Sequence, residues 1–427
     1  MTWQLLSHVP KPDCLKQSGF QVPLRSLLVL RSVALTRLRC MRAWRHAANS
    51  STSTPSLRKP DEAIIADVKT LPQHYLVSSE IFAEEQEKIF LNHWLLVGHQ
   101  SHIAKPGDYF IANVSKESLI VIRDQNSVIR GYYNICRHRG TRLKEDTCGH
   151  SAVIQCPYHA WTYGLDGRLI GVPHMDEVPD FDKSDYSLHP VSVQLFEGFI
   201  FVNLAKNPAP LKEWFAPLAG KFSDWNLPDL RRARRTEYDV RANWKLVFEN
   251  YSECYHCPGV HPMLSKVSPY DSAENDLTEG PFLGGFMKIN KGRSLTMSGD
   301  TCALSVSQRE KKGVEEGEKE RVFYYSIFPN MLLSMHPEYV MVHQILPQTP
   351  DRTLILCDWF FHPKAFERAD FNPEDAIKFW DVTNRQDWHV CELSQAGIAS
   401  SAYEPGPYSS RESIPAAWDR DYLRRIR

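Results

Sequence analysis

The sequence predicts an α+β protein, a small all-β unit followed by a larger domain with an antiparallel sheet and helices. Three observations predict it. Hairpin signals crowd residues 94–205. Beyond Asn207-Pro-Ala-Pro210, strands come in a block and a long helix follows them, without the βαβ alternation of a parallel sheet. The 427 residues, 42% hydrophobic and 11% aromatic, are enough for two cores.

Residues 1–60 stand apart from that fold. Arg25, Arg31, Arg37, Arg39, Arg42 and Arg45, with Lys11 and Lys16, face a single acid, Asp13, and the Ser/Thr-rich stretch 49–56 follows. An Arg-rich, Ser-containing, acid-poor leader is the pattern of a mitochondrial or plastid transit peptide. Organelle import is therefore expected. A disordered basic extension on a cytoplasmic protein, or a true start at Met41, is the alternative.

Residues 61–93 are expected to be a helical part of the catalytic domain. A helix is predicted over Ser79–His93, with Ser78 or Ser79 as N-cap and Glu80, Glu84 and Glu85 early in it. Ile81, Phe82, Ile89 and Phe90 share a face. In 94–205, the strands 118–122 and 128–133 flank Asp124-Gln-Asn-Ser127, and 160–163 and 168–170 flank Asp166-Gly167. Phe196–Asn203 reads as one further strand. In 206–427, Trp244–His256 reads as a helix that Pro258-Gly259 interrupts. The charged run Gln308–Arg321 reads as a solvated loop. Strands 321–327, 339–346 and 353–361 come next, and a final helix over 373–396 has Pro373 near its first turn.

Composition narrows the function. A formal net charge of -1 argues against a dedicated nucleic-acid binder. No run of about 18 apolar residues appears, so no transmembrane helix is expected. Of ten cysteines, Cys254, Cys257, Cys302, Cys357 and Cys391 read as buried single thiols of a reducing compartment.

Two His/Cys clusters carry the chemistry. The first is Cys136-Arg-His138, then seventeen residues, then Cys156-Pro-Tyr-His159. Two thiolates and two imidazoles are the donor set of a Rieske [2Fe–2S] cluster. Zinc is the rival for the same donors. Hairpin tips, glycines at 140 and 149 for tight loops, and Trp161 and Tyr158 as shields favour iron–sulfur. Cys148 and His150 fall off the spacing and read as loop residues.

The second cluster is Glu253-Cys-Tyr-His256 with His261. One such histidine alone is usually a satisfied core residue. Two that a helix break can aim at one point, plus a carboxylate, make the facial triad of a mononuclear Fe(II) that activates O₂. Asp387 is the preferred third ligand, then Asp381, then Glu392. Glu253 is placed behind His256, accepting its imidazole N–H. Glu253 and Asn250 are the candidate catalytic residues, with Glu249 as further support. Cys254 and Cys257 read as packing.

The stretches Cys136–Gly140, Cys156–Trp161, Asn243-Trp-Lys245 and Glu249–His256 with His261 resemble the Rieske non-haem iron oxygenases. That family holds the ring-hydroxylating α-subunits and the choline, carnitine and glycine-betaine monooxygenases. The likeness spans about residues 70–405. It implies a Rieske domain joined to a helix-grip catalytic domain. It also implies a homotrimer, in which electrons cross to the neighbouring subunit's iron through an acidic bridge at Glu253. Glu rather than Asp at the bridge is similar to the quaternary-ammonium branch. The string Asp387-Trp-His-Val-Cys-Glu-Leu-Ser-Gln395 supports Asp387.

The expected activity is hydroxylation of choline or a related quaternary ammonium compound, using O₂ and a separate ferredoxin or reductase. An aromatic cage is expected for such a cation, with Tyr251, Tyr255, Trp359 and Phe360 among the aromatics at hand and no cage assigned. An aromatic-ring dioxygenase, an N-demethylating monooxygenase and a Rieske electron carrier are the other readings.

Overall fold

The computed structural model describes residues 68–306 and 320–427. The basic segment 1–60 and most of the charged run after Gln308 lie outside them.

A seven-stranded antiparallel sheet fills the first half. Its strands are β1 (Leu95–His99), β2 (Asp108–Val114), β3 (Glu117–Arg123), β4 (Ile129–Tyr133), β5 (Cys148–His150), β9 (Pro190–Phe196) and β10 (Phe199–Asn203). They run in the order β1-β10-β9-β4-β3-β2-β5. A small sheet of β6 (Ile154–Gln155), β7 (Thr162–Tyr163) and β8 (Leu169–Gly171) carries the second Cys/His loop. The predicted strand Phe196–Asn203 is in fact a hairpin. Glu197 (φ 48°) and Gly198 (φ 78°) make the two-residue turn whose twist suits antiparallel strands. Cys148 and His150 lie in β5, not in a loop, and His150 Nδ1 meets Asp108 at 2.9 Å.

The second sheet holds β11 (Arg231–Val240), β12 (Glu274–Leu277), β13 (Phe282–Lys288), β14 (Arg321–Ile327), β15 (Met331–Met335), β16 (Tyr339–Thr349) and β17 (Arg352–Phe361). Its order is β11-β17-β16-β15-β14-β13-β12, again antiparallel. β16 and β17 sit inside it, and residues 339–345 and 357–361 are all buried. Burial on both faces is why Tyr339–Val342 and Trp359–Phe361 run apolar without alternating, and His343, Gln344 and Asp358 are polar residues buried among them.

The long helix Glu374–Ile398 lies across this sheet. Ile377, Trp380, Asn384, Trp388, Cys391 and Gln395 recur every three or four residues and form its buried stripe. Trp380 Nε1 donates to Tyr339 Oη at 2.7 Å, and Tyr238 Oη donates to Asp381 at 2.9 Å. It is not the last helix. Ser413–Ile426 follows it and packs Trp418 on Phe248.

The helix read over Trp244–His256 stops at Tyr251. Ser252 ends it by turning its hydroxyl onto the Phe248 carbonyl (2.6 Å) and Ser326 Oγ (2.7 Å). Residues 253–256 are therefore loop, and Pro258 begins a new short helix, Cys257–Val260, where a missing N–H costs nothing. In that loop Cys257 N donates to the Cys254 carbonyl, and the Cα atoms come within 5.0 Å. This is disulfide range, and the two cysteines are joined rather than packed as separate thiols.

Candidate functional site

The first cluster is built from two matching loops. In one, Gly140 N donates to the Cys136 carbonyl (3.1 Å); in the other, Ala160 N donates to the Cys156 carbonyl (3.1 Å). Both loops end on a left-handed residue, Gly140 (φ 74°) and Ala160 (φ 56°). Each loop thus folds a cysteine under its histidine. Cys136 and Cys156 are buried, and the His138 and His159 rings stand 4.8 Å apart above them. Tyr163 Oη lies 3.3 Å from Cys136 Sγ and accepts from Arg137 N at 3.0 Å.

Trp161 is buried and stacks on His138 at 4.7 Å, so it excludes water as expected. Tyr158 stacks on His159 but is 56% exposed and shields little. Gly149 does not serve the loops. It sits in β5 beneath Tyr109, whose ring would meet an added Cβ at 3.1 Å.

The donor set fits an iron–sulfur cluster. His159 Nδ1 is buried with no hydrogen-bond partner, an orphan that a metal bond satisfies. Burial, joined by the Cys156 thiol beside it, pushes the Cys136 pKa up against the Tyr163 hydrogen bond. A bound cation is what turns such a thiol into a thiolate ligand. Cys136, His138, Cys156 and His159 are all present in one place.

The second cluster converges more tightly. His256 Nε2 and His261 Nε2 are 3.2 Å apart. Asp387 Oδ1 lies 2.7 Å from the second and 3.2 Å from the first. The far side of each ring is held by an oxygen. Glu253 Oε1 takes His256 Nδ1 at 2.5 Å, and Gln386 Oε1 takes His261 Nδ1 at 2.9 Å. Both Nδ1 atoms thus carry a proton, and both Nε2 atoms converge on Asp387 Oδ1, the arrangement a metal would draw on. Two imidazoles and one carboxylate with open space beside them fit an Fe(II) facial triad. Burial disfavours the His256 imidazolium, but hydrogen bonds to Asp387 and Glu253 outweigh it and push the pKa up to about 10.

Asp387 reaches this point because the long helix runs past the loop that holds His256. The other two carboxylates do not. Asp381 pairs with Tyr238 and Arg385, and Glu392 accepts from Arg241 N. Glu253 stands behind His256 as expected, though it gets there by a loop and not by one helical turn. Asn250 lines the cavity. Glu249 does not. It is buried in a separate group with Asp419, and burial plus the Asp419 charge hold its carboxyl well above the usual range.

The cavity over the triad is walled by Tyr251, Phe286, Tyr324, Trp380 and Trp388. Tyr255 also lines it, while Trp359 and Phe360 are core residues elsewhere. Gln386, His343 and Arg411 escape the sequence reading. His343 lines the cavity, is 1% exposed and leaves both ring nitrogens without a hydrogen-bond partner. Burial pushes its pKa down to about 4, so it is neutral. Nothing in its strand context distinguishes it from a core histidine.

Comparison with known proteins gives the same two parts. Residues 93–182 match the Rieske [2Fe-2S] domain, and residues 227–426 match the ring hydroxylating alpha subunit catalytic domain. The chain is 32% identical to a glycine betaine monooxygenase oxygenase subunit of Chromohalobacter salexigens, over 80% of this chain and 82% of the relative. It is 34% identical to a carnitine monooxygenase oxygenase subunit of Escherichia coli (strain K12), over 78% and 85%. The solved structure of a quaternary ammonium Rieske monooxygenase superposes with a TM-score of 0.74 at 27% identity, over 87% of this chain and 100% of that one. With a [2Fe–2S] donor set in a β domain and a two-histidine, one-carboxylate iron site under a helix-gripped sheet, the chain belongs to the Rieske non-haem iron oxygenases.

Proposed function

We propose that the chain is the oxygenase component of a monooxygenase that hydroxylates a small quaternary ammonium compound at a C–H bond beside nitrogen. The observation that carries this reading is the aromatic wall directly over the facial triad. Tyr251 and Tyr324 meet edge to face at 6.1 Å, and Tyr324 and Trp380 at 6.3 Å. Ring faces of this kind hold a fixed cation that cannot donate hydrogen bonds. The relatives named for glycine betaine and carnitine, and Glu rather than Asp at position 253, support the same class. Choline, glycine betaine and carnitine are the candidate substrates within it.

When bound, the cluster supplies single electrons and the iron supplies O₂ activation. The chain's own residues do the rest. His256, His261 and Asp387 hold the iron, and Glu253 and Gln386 fix the two imidazoles. Trp161 keeps water from the cluster, and the exposed His138 edge is left for a redox partner. Electrons come from a separate ferredoxin or reductase. In the proposed homotrimer, Glu253 sits where a neighbouring copy's Rieske histidine docks.

Oxygen uptake with choline, glycine betaine, carnitine and simple arenes tests the reading. Uptake coupled to a quaternary ammonium product supports it. Coupling to an arene with both oxygen atoms incorporated replaces it with a ring dioxygenase. About three irons per chain fit an oxygenase, and about two fit an electron carrier.

A further inference from the structure

We infer that Arg411 makes this pocket selective for quaternary ammonium compounds that also bear a carboxylate. This rests on the quaternary-ammonium reading and narrows it. Among the described residues, Arg411 is the only Lys or Arg that lines the cavity over the triad. It lies between the long helix and the C-terminal helix, half-buried, with its guanidinium 5.3 Å from the Tyr270 ring centroid. Tyr270 lines the same cavity.

Among the described residues, the contact recorded for the Arg411 guanidinium is the one over the Tyr270 ring, and no carboxylate pairs with it. Glu412 accepts from Ser409 N at 2.7 Å. Glu253 and Asp387, the two acids of the cavity wall, hold His256 and His261. The guanidinium therefore keeps its planar fork free for a carboxylate.

The cavity is thus polarised. Its acids sit at the triad, and its one lysine or arginine stands beside Tyr270 on the wall. A zwitterion fits both ends. Its ammonium methyl groups go toward the triad and the aromatic faces, and its carboxylate goes to Arg411. Choline offers the same cation but nothing for Arg411, which leaves a half-buried charge unanswered on binding.

The test compares glycine betaine and carnitine with choline on the metal-loaded protein, by kcat/KM and by tryptophan-fluorescence titration. Wild type should favour the zwitterions by about 10- to 100-fold, the worth of one charged hydrogen-bonded pair. Arg411→Gln should collapse that ratio toward one, mainly through KM, and Arg411→Glu should invert it. Arg411→Lys should restore part of it. Rieske absorbance and iron content report whether each variant is intact. Equal use of choline and zwitterions by wild type overturns the inference even if no variant folds. An unchanged ratio in an intact Arg411→Gln protein overturns it too, reducing Arg411 to a cation–π prop for Tyr270. Absence of turnover and binding with every quaternary ammonium compound instead overturns the proposed function, and this inference with it.

Discussion

Glu253 and Gln386 show what single residues do for the iron site. Neither holds the metal, but each accepts the Nδ1–H of a ligand histidine and so aims its Nε2. Removing such a partner typically weakens metal binding about 10- to 100-fold. Gln386→Leu should lower iron affinity by that factor while leaving the Rieske visible spectrum intact, as a chelator titration would show. Glu253→Ala is expected to weaken iron binding by a similar factor and, with iron made saturating, still to lose nearly all turnover, because the proposed electron bridge is lost; full activity of the iron-saturated variant rejects the bridge. Glu253 was legible from its place in the Glu-Cys-Tyr-His string. Gln386 was not, since its role depends on which way a helix 125 residues downstream is rotated.

His336 gives a pH test. It is buried against Tyr339 at 4.1 Å with both ring nitrogens unpartnered, and burial holds its pKa well below 6.5. The folded state keeps it neutral, while the unfolded chain takes up a proton below about pH 6.5. Its contribution is therefore intact above that pH and falls as pH drops through it. His336→Phe should gain roughly 1 kcal/mol over wild type on going from pH 8 to pH 5.5, read from urea unfolding.

Elements are tied together by a buried charge that the sequence left unexplained. The stretch Asn243-Trp-Lys245 stood out by resemblance alone. In the fold, Asn243 caps the helix Trp244–Tyr251, and its side chain donates to the carbonyls of Leu76 and Pro350. Trp244 and Lys245 both donate to Glu85, as does Tyr422 Oη from the C-terminal helix. Lys245 and Glu85 have no exposed side-chain surface. Lys245→Met leaves Glu85 charged and buried, and should cost roughly 3–5 kcal/mol by denaturant unfolding. Adding Glu85→Gln should recover part of that. The sheet that lines the cavity has a similar pinch point. Gly284 (φ 141°) in β13 has no room for a Cβ, which would lie 2.0 Å from the Tyr324 carbonyl oxygen of β14. Gly284→Ala should therefore lower the melting temperature and disturb the wall that holds Tyr324.

Over the whole molecule, the β unit and the helix-gripped sheet share a core. Trp94, Leu96, Phe199 and Phe201 pack with Met335, Val342 and Phe360. Asn330 binds the backbone of Leu96 in both directions, at 2.8 and 3.0 Å. This makes the cluster domain a rigid part of the body and not a tethered carrier. No described hydrogen bond or ring contact joins His138 or His159 to His256 or His261. A trimer in solution, by light scattering, is the expected way to bring one copy's cluster to another's Glu253; a strict monomer with full activity overturns that arrangement.

What the sequence determined by itself was the chemistry. Metal donors are few in kind, and Cys-x-His with Cys-x-x-His, or His-x₄-His beside a Glu, restricts the ion almost regardless of the surrounding fold. It also showed several of the strands and the long helix, whose apolar patterns are local. Only the tertiary structure decided the ends of elements, the Cys254–Cys257 bond, the choice of Asp387 over Asp381 and Glu392, and the presence of His343 and Arg411 at the cavity. Each of these depends on which face of one element meets another far along the chain, and that is set by packing rather than by neighbours in sequence.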